Sequence, residues 1–297
     1  GLISVDNSEL DDMVLRRADG SPTYNMAVVV DDAEMGITHV LRGDDHVNNT
    51  PKQILIYQAL GKPLPVFGHV PMILGPDKQK LSKRHGAKAV IEYQRDGLLP
   101  EALVNYLVRL GWSHGDDEIF SLDELKRVFP EGRLSSSAAA FDMDKLMWLN
   151  GQHMRHASVE RLVELVAPFV EELGLENVSR QRLAPMAELL RERAANLKDM
   201  ARDMRFMLIP ASELEYDQAA VAKQLTPEAR EHLAALRSRF AALADFNREA
   251  VHDILQNYVQ ETGVKFKVVG SAMRVAIVGA MSGPDISAVM EIIGKDD

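Results

Sequence analysis

Lys80-Leu81-Ser82-Lys83-Arg84 is the stretch around which this chain of 297 residues is arranged. It sits in a loop that opens Gly75-Pro76-Asp77-Lys78-Gln79 and closes at Gly86. From Lys78 to Lys88 there are five basic residues (Lys78, Lys80, Lys83, Arg84, Lys88) and no acid, in a chain whose net charge is −10. Glycines at both ends let a backbone bend and approach a ligand closely. Two lysines three positions apart, with a serine between them, can grip one polyanion from two sides, because an ammonium is a compact point charge with three donors. The run reads as a phosphate clamp, and the plain alternative is a solvated charged turn.

Upstream of this loop the pattern is strand, helix, strand. Val14 to Arg17 reads as a strand that closes in the Asp19-Gly20 turn. Tyr24 to Val30 is apolar enough for a strand or a buried helix, and Asp31-Asp32 ends it. Gly36 to Leu41 is a better strand, delivering Arg42, Asp44, Asp45 and His46 at its C-terminal end. Thr50-Pro51-Lys52-Gln53 then carries an N-cap, a proline at the first helical position and a capping-box glutamine, and the helix stops at Gly61. Leu64 to Leu74 is a second extended segment. In an open parallel sheet ligands lie beyond the carboxyl ends of the strands, so Arg42 to His46 and Gly75 to Arg84 should face one crevice. A guanidinium at such a strand end can hold a carboxylate bidentately; its plain alternative is a salt bridge to Asp44 or Asp45.

Downstream the sequence turns helical. Pro100 starts a helix to Leu110 with Leu103, Leu107 and Leu110 on one face, and Ser121-Leu122-Asp123-Glu124 is a capping box before a short helix ending near Phe129-Pro130. Phe141 to Leu149 reads as a helix that stops at Asn150-Gly151, with Trp148 in a core, and the main boundary falls between Gly151 and Ser158. From Ser158 onward everything except Val264 to Val269 reads as amphipathic helix: Ser158 to Leu173, Ser179 to Met207, Thr226 to Leu243, Asn247 to Thr262, Ala272 to Val278 and Pro284 to Ile293. A helical bundle is the expected architecture there.

Composition bounds the chemistry. With 46% hydrophobic and 26% charged residues the chain is globular. No apolar run approaches the roughly 20 residues a membrane span needs, and the N-terminus has no signal-peptide pattern, so a cytoplasmic protein without membrane contact is the simplest reading. Zero cysteines exclude disulfides and thiolate metal sites, and the nine histidines lack metal-ligand spacing. A pI near 5.4 argues against indiscriminate nucleic-acid binding, leaving RNA contact to local basic faces. One such face lies between Arg180 and Arg205, where seven basic residues meet four acids.

The run Lys80-Leu81-Ser82-Lys83-Arg84, preceded by His69-x-Pro71 and Asp77-Lys78, resembles the lysine-serine-lysine signature loop of class I aminoacyl-tRNA synthetases in the form used by bacterial glutamyl-tRNA synthetases. Pro22-Thr23-Tyr24-Asn25, Val29-Val30-Asp31-Asp32, Leu41 to His46, Leu99 to Leu103 with Asn105-Tyr106-Leu107, and Trp148 to Gly151 resemble the same family in the same order. The resemblance implies an α/β region followed by an all-α region: the end of an acceptor-binding insertion (1–23), the second half of a Rossmann-like nucleotide fold (24–74), a signature-loop and stem-contact domain (75–155), and a helical anticodon-binding region (156–297, divided near 208). It implies ATP-dependent activation of L-glutamate, with Mg²⁺ accompanying ATP, and transfer to the 3′ end of tRNA(Glu). Arg42 would hold the side-chain carboxylate of glutamate, with Tyr24 and Asn25 beside it. Asp45, Ile73, Lys80, Ser82 and Lys83 would bind ATP, with Lys80, Lys83 and Arg84 in the catalytic loop. Arg191 and Arg193 would contact tRNA, Arg193 at the anticodon.

One departure qualifies the expectation. The His-x-Gly-His signature of class I synthetases does not occur in these 297 residues, and Gly1-Leu2-Ile3-Ser4-Val5 starts abruptly in strand-like sequence. The chain is therefore expected to be the C-terminal part of such an enzyme and inactive alone. Residues 1–75 are expected to be poorly ordered, rearranged or associated through an exposed half-sheet, in contrast to a monomeric intact enzyme. The rival readings are a non-catalytic tRNA-binding module, a synthetase charging both tRNA(Glu) and tRNA(Gln), and a nucleotide-binding α/β protein unrelated to tRNA.

Overall fold

A computed structural model describes residues 3–82, 84 and 88–296. The chain forms two compact units that interleave in sequence: Gly1–Lys88 with Val104–Met143, and Ala89–Leu103 with Asp144–Asp297.

In the first unit, α1 (Tyr24–Glu34) resolves the ambiguity at Tyr24–Val30 in favour of helix, and it runs through Asp31 and Asp32 instead of stopping there. Strand β1 (His39–Gly43) leads to α2 (Thr50–Ala59), and β2 (Val66–Val70) returns parallel to β1 in a register that sets Arg42 opposite His69. Val29, Ile56 and Tyr57 form the small core between α1 and α2, with Phe67 edge-on to Tyr57 at 6.5 Å. The expected strand at Val14–Arg17 is reduced to a single bridge, Arg16 to Pro22, around a turn whose Gly20 has φ +88. Leu41 and Val66 are 70% and 61% exposed, so this two-stranded sheet leaves apolar surface in water.

Beyond β2, Leu74 bridges both Lys80 and Ala140, which backs the signature-loop hairpin with the chain at 139–141. Helix α3 (Val90–Arg95) and the start of helix α4 (Pro100–Arg109) fall in the second unit, and the chain returns to the first at Val104. Leu107 is 43% exposed; the inward face of α4 carries Ala102, Leu103, Asn105 and Tyr106 instead. Asn105 donates to the Glu118 carbonyl at 3.0 Å and accepts from Phe120 N–H at 2.8 Å, stitching the loop before α5 (Leu122–Val128) to α4. The capping box at Ser121 and Glu124 forms as expected. The short antiparallel pair β3 (Trp112–Ser113) and β4 (Arg133–Leu134) completes this unit.

In the second unit the expected stop at Asn150-Gly151 is absent: α6 (Met143–His156) runs straight through it. Asn150 is fully buried because its carboxamide accepts from Leu99 N–H at 2.8 Å and donates to the Ala195 carbonyl at 2.7 Å. A residue with turn-forming chemistry is here used to satisfy two distant backbone groups. Trp148, expected in a core, is 45% exposed. Nearby, Gly97 (φ +83) accepts from Leu197 N–H at 2.8 Å, and a Cβ at this position would meet the Lys198 nitrogen at 2.6 Å.

The remaining helices are α7 (Val159–Glu172), α8 (Arg180–Leu190), α9 (Leu197–Arg205), α10 (Gln218–Gln224), α11 (Pro227–Ala241), α12 (Arg248–Thr262), α13 (Phe266–Val278) and α14 (Ile286–Ile293). The single helix expected from Ser179 to Met207 is two, because Asn196 adopts an extended backbone and caps α9 by accepting from Asp199 N–H. Val264–Val269, expected as the exception to helix, leads into α13 and forms its first turn. One core joins Leu162, Val166, Met186, Leu190, Met200 and Met204 to Leu236, Leu255, Val269 and Val289. Among the described residues no helix is long and apolar enough to cross a membrane.

Asn150→Ala should strip two buried backbone groups of their partners and destabilise the protein by about 3 kcal/mol. Denaturant unfolding with an unchanged midpoint would contradict that assignment.

Candidate functional site

The C-terminal ends of β1 and β2 gather most of the residues expected in the first unit. Arg42, near the end of β1, donates from Nη2 to Thr50 Oγ1 at 2.8 Å and from Nε to His69 Nε2 at 3.4 Å, with its Cζ 5.5 Å from the Phe67 ring centroid. Thr50 Oγ1 also lies 3.0 Å from His69 Nε2 and 3.3 Å from the His46 carbonyl. Among the described residues, then, the hydrogen-bond partners of Arg42 are Thr50 and His69, and the plain alternative, a salt bridge to Asp44 or Asp45, does not form. The capping box expected at Thr50 and Gln53 does not form: neither side chain caps α2, Thr50 being spent on this network and Gln53 on Asn25. Gln53, 1% exposed, donates to Asn25 Oδ1 at 2.9 Å. That holds the Asn25 carboxamide against α2. Tyr24 is half exposed, its hydroxyl 3.5 Å from His46 Nδ1, which in turn meets Asn49 Nδ2 at 3.1 Å.

Residues 73–81, leading into the lysine run, form a tight hairpin. Leu81 N–H donates to the Ile73 carbonyl and Gly75 N–H to the Gln79 carbonyl, while Asp77 Oδ1 accepts from Gln79 N–H. The left-handed residue of this turn is Lys78, at φ 60, where glycine flexibility was expected. The hairpin delivers Lys80, whose Nζ donates to Asp45 Oδ2 at 2.9 Å, both side chains being substantially exposed. That hydrogen bond holds the Asp45 carboxyl below the usual carboxylate range. Ser82 is half-buried and Arg84 exposed; Lys83 and Gly86 lie outside the described residues. So Lys80, Asp45 and the Arg42 network share one end of the parallel pair, and an anionic ligand there would find a guanidinium and an ammonium.

Burial, followed by the Arg42 and His46 charges, pushes the His69 imidazole below its ordinary value, with Asp44 opposing. A neutral His69 can accept at Nε2 from Thr50 or Arg42; a protonated one would confront the guanidinium.

The second unit holds a separate cluster. Arg193 Nη1 donates to the Gly283 carbonyl at 2.8 Å and Arg274 Nη1 to the Pro284 carbonyl at 2.6 Å, so two arginines fix the 283–284 turn. The turn flanks a cleft of ≈ 350 Å³ lined by Phe266, Lys267, Ser271, Arg274, Met281 and Asp285 among others. Arg191 instead pairs with Glu188 at 2.9 Å. Arg274 lay within the expected Ala272–Val278 helix, but Lys267 was not placed on the same helix because Val264–Val269 was expected to be non-helical. The signal that could have found them is Lys267 and Arg274 seven apart, two turns along one helix face.

A fold of a small parallel strand pair with a lysine hairpin, followed by a helical unit, defines a class: residues 1–148 match the class I tRNA synthetases (E and Q), catalytic domain, and residues 161–297 match an anticodon binding domain. The chain belongs to that class I synthetase family. Over 297 residues it is 63% identical to the glutamate--tRNA ligase of Nitratidesulfovibrio vulgaris (strain Hildenborough), covering all of this chain and 64% of the relative. It is 62% identical to the glutamate--tRNA ligase of Oleidesulfovibrio alaskensis, again covering 64% of the relative. A crystal structure of a glutamate tRNA ligase from Elizabethkingia meningosepticum in complex with its amino acid superposes with a TM-score of 0.86 at 32% identity, covering 99% of this chain and 62% of that one. The chain thus spans less than two thirds of the length of these relatives.

Two titrations check the site. In Lys80→Ala, carbon-13 NMR should show the Asp45 carboxyl titrating at higher pH than in the parent; an unshifted midpoint would show that the ion pair does not form in solution. Because the folded-state pKa of His69 is lowered, its contribution to stability is complete above the ordinary histidine value near 6.5 and is lost as pH falls from there toward the folded value. His69→Gln should flatten the fall of the denaturation midpoint across that window, and an unaltered profile would assign the fall to other groups.

Proposed function

We propose that this chain carries the signature-loop and tRNA-binding parts of a glutamate--tRNA ligase. The reading rests on Arg42 and Lys80 lying at one end of the β1–β2 pair, together with the glutamate-specific names of relatives at 62–63% identity. Arg42, with Tyr24 and Asn25 beside it, takes the side-chain carboxylate of glutamate. Lys80 and Lys83 take the triphosphate of ATP, Asp45, Ile73 and Ser82 line the nucleotide, and Arg84 adds charge. Mg²⁺ arrives on the nucleotide, since it keeps phosphate and water ligands by preference.

In the reaction an oxygen of the glutamate α-carboxylate forms a bond to the α-phosphorus of ATP while the bond to pyrophosphate breaks. The glutamyl group then passes to a ribose hydroxyl of the terminal adenosine of tRNA, releasing AMP. The α-carboxylate is already ionised, so the first step needs positioning and charge stabilisation more than a general base. Lys80 can supply that stabilisation, because its exposed bond to Asp45 is weakly held and can be exchanged for a phosphate oxygen. Arg193, with the cleft bounded by Phe266, Lys267 and Arg274, offers cations beside an aromatic ring to unstacked anticodon bases. Arg191 adds a phosphate contact outside the cleft. The proposed division is an acceptor-binding tail in 1–23, a half nucleotide fold in 24–74, a signature-loop domain in 75–155 and an anticodon region in 156–297.

Glutamate-dependent ATP–pyrophosphate exchange and charging of purified tRNA(Glu) and tRNA(Gln), measured on the full-length gene product, test this reading. Arg42→Ala should lower kcat/KM for glutamate by about a hundredfold or more, the worth of a charged two-bond contact. Arg193→Ala should weaken binding of tRNA(Glu) while leaving pyrophosphate exchange by any tRNA-independent route unaltered. Full glutamate activity in Arg42→Ala would overturn the substrate assignment.

A further inference from the structure

An arginine can present a carboxylate with either of two forks: side-on, through Nε and Nη2, or end-on, through Nη1 and Nη2. In this structure the side-on fork is already engaged. Nη2 donates to Thr50 Oγ1 at 2.8 Å and Nε to His69 Nε2 at 3.4 Å, and those two acceptors are themselves 3.0 Å apart. Thr50 and His69 are anchored independently, Thr50 at the start of α2 within 3.3 Å of the His46 carbonyl, and His69 on β2 directly across from Arg42. Phe67, on the same strand as His69, lies under the guanidinium. Three side chains from two elements, α2 and β2, therefore fix the plane of the guanidinium.

We propose that Thr50 and His69 are positioning residues that lock Arg42 with only its end-on fork available, and that this lock sets discrimination between a carboxylate and its isosteric amide. The proposal rests on the reading of Arg42 as the glutamate-binding residue. A locked end-on fork presents two parallel N–H donors. A carboxylate meets both with acceptors, whereas a side-chain amide meets one with its oxygen and turns its own NH₂ donors against the other. An arginine free to pivot would escape that clash by offering a single N–H to the amide oxygen. Rigidity, more than charge alone, is what rejects glutamine here.

The test is glutamate activation, with glutamine as competitor, in the full-length gene product. Thr50→Val keeps the shape and removes the hydroxyl, so it should reduce the glutamate-to-glutamine ratio of kcat/KM by about tenfold or more, chiefly by raising kcat/KM for glutamine, and glutamine should compete with glutamate at lower concentration than in the parent. Thr50→Ser restores the hydroxyl and should restore the ratio. His69→Gln should act in the same direction, and it decides the matter should Thr50→Val not fold. A ratio unchanged in Thr50→Val and His69→Gln, while Arg42→Ala abolishes glutamate use, would overturn the lock and leave the substrate reading intact. Normal glutamate use by Arg42→Ala would overturn both.

Discussion

The register of two short parallel strands governs the first unit. Because Arg42 on β1 stands opposite His69 on β2, the guanidinium, the imidazole and the Thr50 hydroxyl meet at one point. Asp45, three residues beyond Arg42, is then placed within reach of Lys80 on the hairpin that follows β2. A slip of one residue would turn every side chain of a strand to the other face and dissolve the arrangement. The small core of Val29, Ile56 and Tyr57 keeps α1 and α2 packed, and so keeps Tyr24, Asn25, Thr50 and Gln53 close to the strand ends.

Much of this was legible in the sequence wherever the determining chemistry is local. Ser121, Ser158, Thr226 and Asn247 start helices where their side chains indicate, because an N-cap satisfies backbone donors two or three residues away. Gly61, Gly174 and Gly263 end them in the left-handed region that glycine favours. The convergence of Arg42 and the Lys80 loop also followed from order alone, since parallel strands bring their carboxyl ends together.

What escaped was the use of locally suggestive residues for distant partners. Thr50 and Gln53 have capping-box spacing, yet one serves Arg42 and the other Asn25. Asn150-Gly151 has the chemistry of a helix stop, yet Asn150 is consumed by backbone groups 51 and 45 residues away. The break between α8 and α9 failed for the opposite reason: the apolar periodicity continues across it, and only the extended backbone of Asn196 interrupts the helix. Lys78 likewise takes a left-handed position for which the glycine-bounded loop pointed to Gly75 or Gly86, and the Asp77 side chain braces the turn by accepting from Gln79 N–H.

The interleaving of the two units has a practical corollary for dissecting the molecule. Leu99 and Ala102 belong to the core of the helical unit but are encoded ahead of residues 104–143, which belong to the other. Severing the chain at any single peptide bond therefore leaves at least one unit without part of its own interior. Separating the two genetically calls for rerouting the polypeptide, by splicing 1–88 onto 104–143 and 89–103 onto 144–297 through new linkers, rather than for truncation.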